Sequence, residues 1–413
     1  MENLNKTFWN KYYKTTNDDI KKESSFASFI YSNYIFKYND DNIYLKICDL
    51  GSGNCRDTIY FNYKGNLCYG VDINGILNKE NNNCKLIKKD VEKVLKNYEL
   101  KTLFDIIYMR WFLHAMPYNI SNSIFINAVH NLKPNGIICI EVRSLNDKEL
   151  IKNSTYDEND KSYITTHKRW LYSIDICKEL ASKNNCDILY CEEGYFSPNK
   201  NTETSNPLLI RFICRKKLLP YYQNSENYIK YKHIIPKIKQ STLSSYNNIN
   251  IMNKILEKNN IKYIAVDRTL LGLNRHGGII PWDNEIYIGF IEDNWEKLFS
   301  IKDELQKNGL KCKINGENHC NFNSINCFKL IRKNNFYEGL YSTYCSVNEY
   351  NNVVKQIFGY SYIYAPFCNH NSLTKKYGEK YFINENINDN FYLKNLSVKN
   401  FSLNYNDLSY QLE

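Results

Sequence analysis

The stretch DLGSGNCRD, residues 49–57, has the residue types that cradle a polar cofactor. Gly51 and Gly53 permit a tight turn whose backbone N–H groups come close to a ligand. Asp72 stands about twenty residues on, at the end of the next apolar run, where a carboxylate can take both hydroxyls of a ribose. Asp90 closes the run after that, placed to meet an adenine ring or its amino group. Arg110 and His114 follow a fourth run, and Arg143 ends a fifth. His114 is the candidate general base. Paired N–H groups of Arg110 and Arg143 suit a carboxylate or phosphate on an acceptor, with ion pairs to Glu141 or Asp147 as the structural alternative. His167 and Arg169 form a His-x-Arg pair suited to a lid over the substrate. Trp111 and Phe112 fit packing better than a sugar platform.

A second constellation lies in HGGIIPWDNEIYIG, residues 276–289. Asp283 and Glu285 stand two apart in what reads as a strand, hence on one face. Two such carboxylates can hold a divalent metal against phosphates. Tyr287 takes the next position on that face, and a phenol does not replace a carboxylate at neutral pH.

The elements that must position these residues follow from the apolar pattern. YLKICDL, LCYGVD, KLIKKD, FDIIYM and GIICIEV alternate with stretches long enough for crossover helices, which predicts a parallel sheet in an α/β domain. DILYCEEG and LLIRFICRK read as a closing antiparallel pair. Ligands of open α/β sheets bind beyond the carboxyl ends of the strands, where Asp49, Asp72 and Asp90 fall. The expected organisation is a helical extension over 1–43, a first domain over 44–214, a connector over 215–250, a second domain over 251–385 and a polar tail over 386–413.

With these motifs in place, residues 44–214 resemble the class I S-adenosylmethionine-dependent methyltransferases, which have a Rossmann-like sheet. The resemblance implies that Asp49, Gly51 and Gly53 hold the methionine part of the cofactor and that Asp72 holds its ribose. Cys55 stands where the family often has a third glycine. KPNGIICIEV is similar to the family's turn and fifth strand. YMRWFLHAM, IEVRSLND, the His-x-Arg pair and NPLLIRFICRK together resemble members found with polysaccharide and cell-surface glycan genes. That implies O-methylation of a sugar in a glycan, sugar nucleotide or phospho-sugar precursor.

RTLLGLNRHGGIIPWDNEIYIGF and YIYAPFCNHNSLTKKYGEKYF resemble the LicD and fukutin-related family over about 255–383. The resemblance implies an α+β nucleotidyltransferase-like fold, transfer of phosphocholine or an alditol phosphate to glycans, and Mg²⁺ or Mn²⁺ at Asp283 and Glu285. The chain departs from the pattern at Tyr287, where an acid is usual, and at Arg268, where a glycine is usual. These departures imply a weakened metal face and a domain reduced to acceptor recognition or weak phosphotransfer. A bifunctional enzyme is the alternative.

Composition bounds the rest. A chain of 413 residues exceeds one ordinary core. The net charge of +10, from 54 basic and 44 acidic residues, is scattered, which fits a solvated surface better than nucleic-acid binding. RNA methylation and a non-catalytic glycan-binding protein are the rival readings. No apolar run has membrane-span length. The fourteen cysteines include no Cys-x-x-Cys pair, and Cys48, Cys139 and Cys214 sit in apolar runs. Reduced thiols and a cytoplasmic setting are therefore expected, with Cys312, His319, Cys320 and Cys327 read as structural rather than as zinc ligands.

Overall fold

A computed structural model describes residues 5, 7–9, 11, 22–77, 83–196, 207–217, 235–280, 283–339, 343–366 and 370–377. Pro281, Trp282, the end of the second motif beyond 377, the middle of the connector and the tail over 386–413 lie outside them. The backbone divides into two compact units. One comprises Met1–Leu100 and Phe104–Lys217, the other Lys101–Leu103 and Leu218–Glu413.

In the first unit the strands are β1 (Lys46–Leu50), β2 (Leu67–Val71), β3 (Cys84–Ile87), β4 (Phe104–Arg110), β5 (Leu132–Arg143), the short β6 (Thr155–Asp157), β7 (Ser162–Ile164) and β8 (Lys168–Arg169), then β9 (Cys186–Gly194) and β10 (Leu209–Lys216). The main sheet runs β3-β2-β1-β4-β5-β10-β9. β1 is parallel to β2 and β4, and β4 to β5. β10 is antiparallel to both β5 and β9. This is the Rossmann-like sheet with a closing antiparallel pair that the apolar runs predict. Every residue of β1 is buried, as a strand covered on both faces requires. The order reverses between β1 and β4, which makes the carboxyl ends of those two strands the natural ligand crevice.

Helices Arg56–Tyr63, Val91–Lys96, Tyr118–His130 and Ile174–Lys183 flank the sheet. Phe125, Leu180 and Ala181 from them join β4 and β5 residues such as Ile107 and Ile140 in one core. The residues ahead of β1 pack on the same unit. Phe26 of helix Ser25–Ile30 stacks on Tyr108 of β4 at 5.1 Å. Buried Asp57 accepts hydrogen bonds from Ser24 Oγ at 2.6 Å and from Tyr108 Oη at 2.7 Å. A second small sheet, β6-β7-β8, carries the His-x-Arg pair at its last strand.

The second unit is α+β. Its sheet contains β11 (Ile264–Ala265), β12 (Ile286–Ile291), β13 (Cys312–Gly316), β14 (His319–Phe322) and β15 (Ile325–Lys333) in the order β11-β12-β15-β14-β13. β12 is parallel to β15, and β11 antiparallel to β12. Helix Asp267–Arg275 leads from β11 towards β12. No described helix is long and apolar enough to cross a membrane.

Candidate functional sites

At the end of β1 the chain turns exactly where its glycines stand. Gly51 has φ 72° and Gly53 φ 55°, both left-handed. A Cβ at Gly51 would lie 2.2 Å from the Phe112 ring, so conformation and space both demand glycine. The Phe112 contact shows that this aromatic lines the turn. Cys55 is also left-handed, at φ 58°, which costs a residue with a side chain about 1–2 kcal/mol.

Asp72, at the end of β2, holds the turn from the side. One oxygen accepts the Gly53 N–H at 3.0 Å and the other the Asn74 N–H at 2.7 Å. Burial raises its carboxyl above the usual range. Asp90 caps helix Val91–Lys96 by accepting the Lys93 N–H, and is exposed. A left-handed glycine turn with no room for a side chain, flanked by a half-buried carboxylate, is a cradle that fits S-adenosylmethionine.

Asp49 is buried and accepts the Thr58 hydroxyl at 2.5 Å. Burial pushes its carboxyl up to about 8, against the pull of that hydroxyl. In the unfolded chain it titrates near 4. Between these values the native state binds the extra proton, so this residue's contribution to stability falls as pH rises from about 4 to about 8 and is level above that. Asp49→Asn is expected to flatten this part of the profile and to leave the protein at least as stable as wild type at pH 8. Thermal unfolding of both proteins across pH checks it.

On the β4–β5 side the structure gathers residues that are far apart in sequence. Arg110 donates from Nε to Glu141 at 3.2 Å, and Arg143 donates to Asp147 at 2.7 Å. These are the ion pairs foreseen as the alternative to an acceptor clamp. Glu141 also accepts from Trp111 Nε1 at 3.1 Å and Arg211 Nε at 2.9 Å. Trp111 has φ 56°, an outlier for so large a residue. Its ring centroid lies 4.3 Å from the guanidinium of Arg110 and 5.9 Å from that of Arg143.

His114 is buried, and its Nδ1 accepts the Arg143 N–H at 3.1 Å. In that tautomer Nε2 carries the proton and donates. Burial, then the charges of Arg169 and Arg143, hold the ring well below the usual histidine range. The Nδ1 lone pair of the neutral His114 ring is thus engaged by the backbone in this structure.

His167 is neutral for the same reasons, with burial and then Arg169 and Arg143 lowering it to about 3. Burial and Arg143 lower Arg169 to about 10. The Arg169 guanidinium donates to the Thr165 hydroxyl. Phe8 stacks on His167 at 4.2 Å, and Asn5 Nδ2 donates to the carbonyls of Ala115 at 2.7 Å and Lys168 at 3.0 Å. Asn5 and Phe8 thus pack against His167 and Lys168. Spacing gives no signal of Asn5 or Phe8, whose contacts lie more than a hundred residues away in sequence.

In the second unit Asp283 and Glu285 precede β12 rather than lying in it. The strand expectation fails because Asp283 accepts the Glu285 N–H at 3.1 Å through its own side chain, a turn that breaks the pleat. Asp283 is buried and Glu285 exposed. Arg268 lies against both: its Nε is 3.1 Å from Asp283 Oδ2 and its Nη2 3.2 Å from Glu285 Oε2. The contact to Asp283 is an ion pair rather than an aligned hydrogen bond. Beneath the guanidinium is the Tyr287 ring, 4.6 Å away, and its hydroxyl donates to Glu285. A further acid that sequence reading passed over acts on Asp283: Asp267, held by Lys376 at 2.7 Å and by the Tyr377 hydroxyl. Among the described residues no group of three or more His, Cys, Asp or Glu side chains is arranged to hold a metal ion. The residues present do not fit Mg²⁺ or Mn²⁺.

Residues 260–374 match the family model for the LicD/FKTN/FKRP nucleotidyltransferase domain, so the second unit carries a LicD domain. An uncharacterized Rickettsia typhi protein is 31% identical over 147 residues, which are 34% of this chain and 48% of that protein. An uncharacterized Rickettsia prowazekii protein is 37% identical over 70 residues, 17% of this chain and 26% of that one. The chain thus spans half or less of these relatives' own lengths. Among solved structures, a Pyrococcus horikoshii protein aligns over 50% of this chain and 99% of its own at 17% identity and TM-score 0.36. The 1,6-didemethyltoxoflavin-N1-methyltransferase of Burkholderia thailandensis, solved with S-adenosylhomocysteine, aligns over 46% of this chain and 76% of its own at 14% identity and TM-score 0.32. The magnesium protoporphyrin IX methyltransferase of Synechocystis aligns over 47% and 84% at 13% identity and TM-score 0.33.

Proposed function

We propose that this chain is an S-adenosylmethionine-dependent methyltransferase that acts on an acidic sugar of a glycan or glycan precursor. The observation that carries this reading is the Asp72 carboxylate, at the end of β2, bound to the Gly53 N–H in the turn that follows β1, the strand at which the order reverses. When bound, the cofactor supplies a methyl group already activated by its sulfonium. The protein's task is then alignment and charge. Gly51, Gly53 and Asp49 take the amino-acid part, Asp72 the ribose and Asp90 the base. Trp111, Arg143, Arg169 and the Nε2–H of His114 orient the acceptor, with Asn5 and Phe8 closing over His167. The LicD domain supports a glycan rather than RNA as acceptor, and its role in this reading is to hold that acceptor. Turnover of labelled S-adenosylmethionine against a panel of sugar nucleotides, phospho-sugars, glycans and RNA tests the proposal.

A second reading concerns the methylated atom. A sugar hydroxyl must lose a proton, but the His114 lone pair is engaged and both histidines are held neutral. A sugar carboxylate needs no base. Arg169, which has no carboxylate partner within hydrogen-bond reach among the described residues, suits such a group. The product is then a methyl ester: mild alkali releases the label as methanol, whereas a methyl ether survives. Arg169→Gln is expected to raise the acceptor KM about tenfold or more and to leave cofactor affinity unchanged, by steady-state kinetics and calorimetry.

A further inference from the structure

We propose that Arg268 takes the place of a divalent cation in the LicD domain, so that this domain is closed to Mg²⁺ and Mn²⁺ by its own side chain. The inference does not depend on the methyltransferase reading, because it concerns only the second unit.

Arg268 is in the first turn of helix Asp267–Arg275, and the acids it meets are fifteen and seventeen residues further on. The guanidinium spans the gap between Asp283 and Glu285, at 3.1 Å and 3.2 Å. A bridging metal would share those two carboxylates and needs their lone pairs. Each already faces the same positive group, Asp283 through an ion pair and Glu285 through an N–H donor as well. Tyr287 adds a second lock: its ring underlies the guanidinium, and its hydroxyl takes up Glu285. The remaining acid, Asp267, is paired with Lys376. Asp267, Asp283 and Glu285 are thus each matched by a cation of the chain, and Tyr287 and Arg268 act as a pair rather than as two separate departures.

The alternative is that Arg268 is a mobile surface arginine that swings away when metal arrives. Two features oppose it. Asp283 is buried, so its charge requires a close partner, and the stacked Tyr287 ring holds the guanidinium from below.

Mn²⁺ binding to the full chain, followed by electron paramagnetic resonance and calorimetry, tests the proposal. Wild type is expected to bind no Mn²⁺ in this unit. Arg268→Ala is expected to gain a site, with affinity at least tenfold above wild type and lost again in Arg268→Ala/Glu285→Gln. Removal of the guanidinium leaves Asp283 uncompensated, so Arg268→Ala is also followed by thermal unfolding. Mn²⁺ is expected to raise its midpoint and not that of wild type, and Arg268→Gln, which keeps a donor, provides a milder variant. Wild-type Mn²⁺ binding that falls in Asp283→Asn and Glu285→Gln overturns the proposal. Failure of both Arg268 variants to gain Mn²⁺ also overturns it, by showing that the arginine is not what excludes the metal.

Discussion

Replacing Glu141 with alanine is expected to cost about 3–5 kcal/mol of stability, the largest single effect in the first unit. Glu141 is buried on β5 and accepts from Arg110, Trp111 and Arg211. The Arg211 side chain is only 7% exposed, and it continues to Ser25 Oγ at 2.9 Å and to the Phe26 and Phe29 rings. Deleting the carboxylate removes the buried charge partner of Arg211 and one partner of Arg110, and frees the Trp111 indole N–H. The unfolding midpoint should fall by roughly 6–20 °C, measured by scanning calorimetry. Glu141→Gln keeps the shape and one acceptor, and should fall between the two. A midpoint unchanged in both variants would mean that the cluster is solvated, with Glu141 no more than a surface partner.

Glu141 also marks where sequence reasoning stops. The strands were legible because a buried strand writes its environment locally: β1 and β4 centre on apolar residues and are buried along nearly their whole length, as a doubly covered strand is. The glycine turn was legible because left-handed backbone selects its residue type. Asp72 was legible because chain order fixes which strand ends share an edge. The acceptor side obeys no such local rule. Arg110 and Arg143 each had two readings; the Arg110 ion pair forms across neighbouring strands, while Arg143 pairs with a residue four positions on. The role of His114 turns on a backbone N–H twenty-nine residues away. In the second unit the departures at Arg268 and Tyr287 were visible one at a time. Their meaning came from the guanidinium lying on the ring and between the acids. Asp267 was missed because it is neither in the acidic motif nor on its strand.

Removing the Asp72 side chain is expected to weaken S-adenosylmethionine and S-adenosylhomocysteine alike by about 10- to 100-fold, and to leave the unfolding midpoint nearly unchanged. Loss of charge-assisted hydrogen bonds to two hydroxyls is worth on the order of 1.5–3 kcal/mol. Asp72→Ala also frees the Gly53 N–H, so part of the loss comes from a less ordered turn rather than from the ribose. Asp72→Asn separates the two causes. Its amide oxygen can still accept from Gly53, while the charge that favours the hydroxyls is gone. The turn contribution is the difference between the alanine and asparagine variants; the ribose contribution is what asparagine still loses. Stability should hardly move, because burial already disfavours the charged carboxylate in the free protein. Calorimetry with the cofactor and with an analogue lacking the ribose 2′-hydroxyl closes the cycle: the substitution should cost the analogue less than it costs the cofactor. Equal losses for both ligands would place the ribose away from Asp72, and equal affinity of wild type and variants would place the whole cofactor elsewhere.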